Sequence, residues 1–446
     1  MPGEEEKKKR LAEAQARECA CVLKRAFSAV FTSRQALDHF LAETFRNSPK
    51  YGSKDRRRIG DALFRVFRDF GFLSLLLKEG EKTAEKCLLL SSVLAGETEY
   101  PACFLAPFAL PAERFREAAE KETIPERAQS LSLLLGSSSD EKKAFSLTDE
   151  LPFWVLPHFP DRTSAEDTAK ALLRRSPVWF RSNFPGDEKK REKILQDFRK
   201  TGIELVFHAF KKDAFRLPEG ERILLQDLAS FREGLFEVQD LSSQCIGETC
   251  IFPKREEEKF SRILDCCAGG GGKTLQMAAF LRAQGKKGHV FAWDTRKNKL
   301  EETFRRGKKG GFSNITVLDE YPSGEVFDKV LVDAPCSGSG RWRRAPEQRF
   351  LLSEEELFRL KETQLEILEK AASCVKSGGV LAYGTCSVFR DENRERVEKF
   401  LTLHPEFALE AFPSPLNGEE TSGMLSILPS HGNCDGAFAA RFRKKS

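Results

Sequence analysis

The stretch "RILDCCAGGGGKT" at residues 262–274 joins a short apolar run, an acidic residue and four consecutive glycines. An apolar strand that ends at Asp265 and leads through glycines into a helical pattern from Lys273 is typical of the first strand–loop–helix unit of a doubly wound sheet. Glycines let the backbone come close to a ligand because no side chain stands in the way. This pattern predicts a ligand-binding loop at residues 265–274.

The same alternation of apolar runs and amphipathic stretches continues from about residue 236 to the end of the chain. It predicts an α/β, Rossmann-like domain over residues 236–446. The predicted strands lie at residues 262–267, 289–294, 315–319, 329–335, 379–386, 407–412 and 436–442. The predicted helices begin at Lys273 and Thr295 and span residues 353–376 and 392–403.

Two further regions precede this domain. Apolar residues at helical spacing predict an all-α domain over residues 1–140, and a Gly/Ser-rich, charged stretch at 136–152 predicts a linker. Residues 150–235 are expected to form a small α+β module. Its centre is a β-α-β unit with strands at 178–183 and 203–210 and a helix at 186–202.

Composition narrows the function classes. No apolar segment is long enough for a secretory signal or a bilayer span, which favours a cytoplasmic protein without a membrane partner. Twelve cysteines show no regular framework and no CxxC pair, and the six histidines are scattered, so we expect mostly free thiols and no metal site. The net charge of +5 is mild, and basic runs such as residues 54–68 fit either a solvated face or a nucleic-acid contact. A monomer is expected.

The glycine loop and the strand ends indicate the ligand. A nucleotide P-loop fails because its leading glycine would fall on Cys267, and a dinucleotide loop fits polyglycine only loosely. Asp294, Asp319 and Asp333 end successive strands, so three carboxylates should line one rim of the sheet. They would repel a polyphosphate but tolerate a positively charged cofactor such as S-adenosyl-L-methionine. The alternative is that each aspartate starts a turn or caps a helix.

Two cysteines are expected on that rim. Cys336 follows the fourth strand and Cys386 ends the fifth, and a right-handed crossover brings such strand ends side by side. A thiol beside a methyl donor suits methylation of a pyrimidine at carbon 5, because thiolate addition at carbon 6 makes carbon 5 nucleophilic. The adduct needs an acid at ring nitrogen 3, and Asp333, three residues before Cys336, is well placed for it.

Five blocks, at residues 238–244, 265–274, 333–347, 383–393 and 434–444, occur in the order of the Sun (Fmu) family of RNA cytosine carbon-5 methyltransferases, which the chain resembles. The resemblance implies that Cys386 is the nucleophile, that Cys336 aids product release and that Asp333 contacts both cofactor and base. It also implies a set of residues that contact S-adenosylmethionine. These are Cys267, Ala268, Gly269, Gly270, Gly271, Gly272, Lys273, Asp294 and Asp319, in addition to Asp333.

The resemblance also implies the partner. The helical N-terminal region is similar to the NusB-like RNA-binding domain of some members, and members so equipped generally modify small-subunit (16S) ribosomal RNA. Where the commoner family form has Ala-Pro in the loop, this chain has Gly269 and Gly270, which should loosen the loop without removing backbone donors. Arg341, Arg343, Arg344 and Arg181 are predicted to hold RNA phosphates.

Some alternatives stay open at this point. Trp342 either offers a stacking surface to a base or packs in a core. The rival functions are a DNA cytosine methyltransferase, a ribosome-assembly factor that binds RNA without methylating it, and a methyltransferase for a protein or a small molecule. Both Cys386 and Asp333 are present, which favours an active RNA enzyme.

Overall fold

The computed structural model describes residues 4–136, 144–252, 262–285 and 288–446. The chain divides into two compact units. The first comprises Met1–Pro157, Asp161–Arg174 and Trp342–Ser353, and the second comprises His158–Pro160, Arg175–Arg341 and Glu354–Ser446.

The first unit is built from helices around an apolar core. Its N-terminal helices are α1 (Glu4–Phe27), α2 (Leu37–Arg46), α3 (Ser53–Arg68), α4 (Phe70–Leu76), α5 (Ala84–Leu94), α6 (Ala102–Leu105), α7 (Ala112–Ala119), α8 (Ile124–Leu135) and α9 (Arg162–Leu172). Helix α3 illustrates the pattern, since Ile59, Leu63 and Phe67 are buried on one face while Arg56 and Arg57 are exposed on the other. The helical prediction for this region is confirmed.

The helical unit extends beyond the boundary expected from the sequence. Residues 144–157 and Asp161–Arg174, assigned in part to the α+β module, belong to it, and so does Trp342–Ser353 with the short helix α15 (Gln348–Leu351). A buried ion pair explains part of this, because Arg349 Nη2 lies 2.9 Å from Glu150 Oε2 and neither side chain is exposed. Glu150 also accepts a hydrogen bond from the Gly71 amide at 3.0 Å.

A small antiparallel sheet lies in the second unit. Its strands are β1 (Trp179–Ser182), β2 (Val206–Phe207), β3 (Ala214–Arg216) and β4 (Phe236–Val238), and they pair in the order β2-β3-β1-β4. Its helices are α10 (Glu188–Arg199) and α11 (Ala229–Arg232). Its core contains the mutually packed rings of Phe180, Phe198 and Phe236.

The prediction of a β-α-β unit is therefore wrong. The strand expected at residues 203–210 contains only two paired residues, and it pairs with β3 rather than with β1. Residues 208–213 form the turn that returns the chain to β3, so a hairpin replaces the crossover. The segment of β4, expected to belong to the Rossmann-like domain, pairs with β1 instead.

The main sheet has eight strands in the order β10-β12-β9-β8-β5-β6-β7, with β11 paired to β12. They are β5 (Arg262–Asp265), β6 (His289–Ala292), β7 (Ile315–Val317), β8 (Phe327–Asp333), β9 (Val375–Thr385), β10 (Phe407–Leu409), β11 (Met424–Ile427) and β12 (Ala437–Lys444). The helices of this part are α12 (Leu241–Ile251), α13 (Gly272–Ala283), α14 (Lys297–Lys309), α16 (Glu354–Ser373) and α17 (Arg394–Leu403). The seven predicted strands are confirmed, and β11 was not predicted.

The central strands of this sheet pair in parallel, which confirms the α/β, Rossmann-like fold class. Strands β7, β6, β5, β8 and β9 run in one direction, and β12 runs against β9. Parallel strands end at the same edge, so the glycine loop after β5 and the cysteines after β8 and β9 meet at one rim. Among the helices of the described residues, none has the length and apolar character to cross a membrane.

The buried pair in the helical unit gives a test of stability. Replacing Arg349 by Met strands the Glu150 carboxylate without its cation, which should destabilise the protein by about 3–5 kcal/mol. Pairing that change with Glu150→Met should recover part of the loss, because two apolar side chains need no partner. Urea titration of the full chain measures both effects.

The matched control is Arg162→Met, which removes an exposed pair with Glu166. It should cost at most about 1 kcal/mol. Equal losses for Arg349→Met and Arg162→Met would contradict a stabilising role of the buried pair.

Candidate active site

Two thiols meet at the rim of the main sheet. Strands β8 and β9 pair in parallel with Asp333 opposite Gly384, so Cys336 and Cys386 follow adjacent strand ends. The two Sγ atoms lie 3.2 Å apart, and both residues are partly exposed. The expectation that both sulfurs converge on one crevice is therefore confirmed.

The pair is electrostatically asymmetric. The hydrogen bond from Cys336 lowers the pKa of the Cys386 thiol below its ordinary value, and the positive charge of Arg341 acts in the same direction against burial. The pKa of Cys336 is raised well above its ordinary value, because Cys386 accepts its hydrogen bond and because burial and the charge of Glu392 disfavour its thiolate. Of the two thiols, Cys386 is thus the one that loses its proton more readily, and Cys336 is the one that holds its proton more strongly.

An ion pair stands beside the thiols. Lys273 Nζ lies 2.7 Å from Asp333 Oδ2, with the lysine side chain nearly buried and the carboxylate about one third exposed. Sequence reasoning assigned Lys273 to the cofactor and did not pair it with Asp333. The two residues begin α13 and end β8, which are far apart in sequence, so their spacing gave no signal.

The glycine loop is held from outside by α14 and by Asp294. Thr303 Oγ1 donates to Gly269 O at 3.0 Å, and Arg306 bonds to Gly270 O. Gly271 has φ +86°, and a Cβ there would lie 2.7 Å from Thr303. The loop thus presents backbone without side chains, which is the shape expected for a close ligand approach.

The predicted cofactor residues lie around this loop, although their carboxylates differ. Asp294 is buried and accepts hydrogen bonds from Gly269 N at 2.8 Å and from the Arg296 guanidinium. Asp319 is exposed, and its backbone oxygen bonds to Lys297. Cys267 is half-buried, burial raises the pKa of its thiol, and Ala268 is buried.

The predicted RNA-contacting arginines separate into two groups. Arg341 is exposed and Arg344 is half-buried. Arg181 is only 4% exposed and donates to Gln239 at 2.7 Å, while Arg343 is 7% exposed and donates to Arg174 O at 3.1 Å. For these two arginines the prediction of a phosphate contact is wrong, because their guanidinium groups serve the protein interior.

Trp342 has no exposed surface. Of the two interpretations open from the sequence, core packing is therefore the one that the structure supports. The motif "RWRR" alone does not show which of its side chains are buried, so it resembles a surface segment.

Sequence reasoning did not identify the polar network that joins the two cysteine loops. Ser339 Oγ lies 2.9 Å from Ser387 Oγ, and the Gly340 amide donates to Cys386 O at 3.0 Å. Glu392 accepts hydrogen bonds from Ser337 in the same network. A faint signal was available, since the serines follow each cysteine directly in "PCSGS" and "TCS".

This arrangement can carry out one kind of chemistry in particular. A thiolate with a lowered pKa can add to an electron-poor carbon, a neighbouring thiol can take part in reversing that addition, and a carboxylate–ammonium pair can exchange a proton. Within the described ranges, no group of His, Cys, Asp and Glu residues could hold a metal ion.

The chain is similar in sequence to proteins of known family. Residues 249–443 match a family model described as 16S rRNA methyltransferase RsmB/F. The probable ribosomal RNA small subunit methyltransferase B of Bacillus subtilis (strain 168) is 33% identical over 308 residues, covering 66% of each chain. The chain thus spans about two thirds of the length of this curated relative.

Two solved structures are similar in fold to this chain. The crystal structure of PH0851 aligns with a TM-score of 0.71 at 22% identity, covering 95% of this chain and 99% of that chain. NSun6 from Pyrococcus horikoshii, solved with SFG, aligns with a TM-score of 0.54 at 18% identity, covering 65% and 96%. At these identities the likeness supports the fold alone.

The glycine loop provides a test with a matched control. Gly271→Ala should destabilise the protein by at least about 1–2 kcal/mol, because alanine rarely adopts a positive φ and its methyl group would collide with Thr303. Gly272→Ala should change stability little or favourably, since a Cβ there meets open space. Urea titration of both variants measures the difference. Equal stability of the two variants would contradict this view of the loop.

Proposed function

Because the chain belongs to the 16S rRNA methyltransferase RsmB/F family, which it matches over residues 249–443, we propose that it methylates carbon 5 of a cytosine in small-subunit ribosomal RNA. The observation that carries this proposal is the thiol pair at 3.2 Å beside the Asp333–Lys273 ion pair. The arrangement has two thiols with opposite pKa shifts, one for each half of an addition–elimination sequence.

The cofactor prediction, S-adenosylmethionine, is confirmed by family membership. When bound, this cofactor supplies an electrophilic methyl group on a sulfonium sulfur. The residues fit it, because a Cβ at Gly272 would meet open space and the rim carries Asp294, Asp319 and Asp333. The loop residues and Asp294 would hold the cofactor. Asp319, which is exposed, would contact it as well.

Cys386 starts the reaction on the RNA base. Carbon 5 of cytosine is a weak nucleophile, and addition of the Cys386 thiolate to carbon 6 converts the ring to an enamine with the electron pair available at carbon 5. Ring nitrogen 3 gains a proton as the carbon 6–sulfur bond forms. Asp333, held by Lys273, faces the same rim as Cys386 and is the group that we assign to this step. It takes a proton from solvent before the base binds, gives that proton to ring nitrogen 3 during addition, and takes it back when the adduct breaks down.

Cys336 acts in the second half of the reaction, the elimination. While Cys386 is a thiolate, the proton shared between the sulfurs stays on Cys336. Once Cys386 is bound to carbon 6 it is a neutral thioether, so the largest cause of the raised Cys336 pKa is gone. Cys336 then loses its proton to solvent and takes the proton from carbon 5, which expels the Cys386 thiolate and restores the ring double bond.

The base reaches the rim outside its helical stack, as enzymes that modify bases require. Arg341 is exposed directly after the Cys336 loop and is the arginine best placed for a phosphate beside that base. Arg344, the similarity of the helical region to a NusB-like domain, and the partition into three domains remain predictions.

Replacing each cysteine by alanine tests the roles of Cys386 in addition and of Cys336 in elimination. Cys386→Ala should reduce formation of 5-methylcytidine in 16S rRNA by at least about 10³-fold, because the covalent route is lost. Cys336→Ala should accumulate a covalent enzyme–RNA adduct, because elimination is slowed while addition is intact. Nucleoside analysis and denaturing electrophoresis measure the two effects. Full turnover by Cys386→Ala would contradict the assignment, as would inactivity of Cys336→Ala without an adduct.

The positive charge of Arg341 should affect how alkylation of Cys386 depends on pH. The folded-state pKa of this thiol is lowered, so its thiolate is present at lower pH than that of an ordinary cysteine. Removing the cation in Arg341→Gln raises the pKa, and alkylation of Cys386 by iodoacetamide should therefore shift to higher pH.

The control for this change is Arg359→Gln, which removes an exposed arginine of α16. Peptide mass spectrometry follows alkylation of Cys386 in each variant. A shift in the control as large as in Arg341→Gln would mean that overall charge, and not Arg341, sets the reactivity of the thiolate.

A further inference from the structure

Glu392 is a fully buried carboxylate close to the thiol pair. It lies six residues after Cys386, and none of its surface is exposed. Its Oε1 accepts hydrogen bonds from the Ser337 amide at 2.8 Å and from Gln364 Nε2 at 2.9 Å, and its Oε2 accepts one from Ser337 Oγ at 2.5 Å. Both oxygens act only as acceptors, which is the pattern of an ionised carboxylate.

A buried carboxylate is costly unless a cation or strong hydrogen bonds compensate it. Across the described ranges of the chain, Glu392 forms no ion pair, and its donors are the neutral groups of Ser337 and Gln364. A neutral side chain of similar size would avoid this cost. The charge at this position therefore calls for a reason beyond packing.

The hydrogen bonds of Glu392 enclose one of the two catalytic thiols. Ser337 directly follows Cys336, and both its amide and its hydroxyl are bound to the carboxylate. Gln364 Nε2, which donates to Glu392, also donates to the carbonyl of Pro335 at 2.9 Å. The residues on both sides of Cys336 are thus tied to the Gln364–Glu392 pair.

Glu392 is itself fixed in place. Its carbonyl accepts a hydrogen bond from Tyr383 Oη at 2.6 Å, and Tyr383 lies in the interior of β9. The next residue, Asn393, accepts from Thr385 Oγ1 at 2.6 Å and donates to Ser387 O at 2.9 Å. The carboxylate is therefore carried by the same segment that carries Cys386.

We propose that Glu392 is a positioning residue, which holds Cys336 against Cys386 through Ser337 and Gln364 and thereby controls release of the methylated RNA. This inference rests on the proposed function. The negative charge also favours the protonated form of Cys336, so Cys386 is the thiol of the pair that ionises more readily. Glu392 touches neither substrate nor cofactor in this role.

The first experiment measures thiol proximity without RNA. Diamide removes two hydrogens from a pair of neighbouring thiols, forming a disulfide while it is reduced to the hydrazide. In the unaltered protein the Cys336–Cys386 disulfide should form readily, and peptide mass spectrometry identifies it among the twelve cysteines. Glu392→Ala should slow its formation by about tenfold, because the loop is no longer held in the reactive geometry.

The second experiment measures the release step on 16S rRNA with S-adenosylmethionine. Glu392→Gln keeps the shape and one acceptor oxygen but loses the charge and the second acceptor. It should raise the ratio of covalent enzyme–RNA adduct to 5-methylcytidine by about tenfold, since Cys386 still adds while Cys336 is displaced. A role in stability alone would lower adduct and product together and leave this ratio unchanged.

Two further variants keep the test informative if a Glu392 variant folds poorly. Ser337→Ala keeps the amide hydrogen bond to Glu392 but loses the hydroxyl, which bonds to Glu392 and more weakly to Ser387 Oγ and Ser339 N at 3.3 Å. It should shift both readouts in the same direction but by less. The control Glu395→Gln alters a partly exposed glutamate three residues away that pairs with Arg390, and it should shift neither.

The outcomes separate this inference from the function on which it rests. If the unaltered protein makes no 5-methylcytidine, the proposed function fails, while the diamide rates still report on positioning. If the protein is active but Glu392→Gln and Ser337→Ala leave both the diamide rate and the adduct ratio unchanged, the positioning role is overturned. Slower disulfide formation together with a raised adduct ratio supports it.

Discussion

The parallel pairing of β8 with β9 is the constraint on which the rest of the site depends. It places Asp333 opposite Gly384, so the chain leaves both strands at the same level and the two cysteines come within 3.2 Å. At that distance two sulfurs share one proton, and the protonation state of each thiol depends on the other. A slip of one residue in this register would turn alternate side chains to the opposite face and separate the pair.

Charges around the sulfurs favour ionisation of Cys386 and protonation of Cys336. Arg341 and Lys273 favour a thiolate at Cys386, while the carboxylate of Glu392 disfavours one at Cys336. The groups come from three segments that the sheet edge brings together. Once Cys386 is alkylated it no longer accepts the hydrogen bond from Cys336, so the largest cause of the raised Cys336 pKa is removed. This couples the second half of the proposed reaction to completion of the first.

Two loops at the rim, the glycine loop and the loop that carries Cys336, are held by residues that are distant in sequence. The glycine loop is fixed by Thr303 and Arg306 of α14, so its open backbone does not depend on its own side chains. The loop that carries Cys336 is held by the segment after Cys386, because Glu392 accepts hydrogen bonds from the amide and the hydroxyl of Ser337. Rigid support of this kind is what a site with a sub-ångström tolerance requires.

The sequence by itself determined the elements whose signals are local. Strand and helix periodicity, the glycine run and the crossover rule were enough to predict the seven strands, the fold class and the meeting of Cys336 with Cys386. Burial and choice of partner were decided only by the tertiary structure. Arg181 and Arg343 resemble surface cations in the sequence yet serve the interior, Lys273 pairs with Asp333, and β2 pairs in a hairpin instead of a crossover. The partners of Arg181, Lys273 and Arg343 are 58, 60 and 169 residues away, and neither spacing nor composition records which of them will share a dry environment. The hairpin is local, but only the pairing of β2 with β3 shows that the chain turns back there.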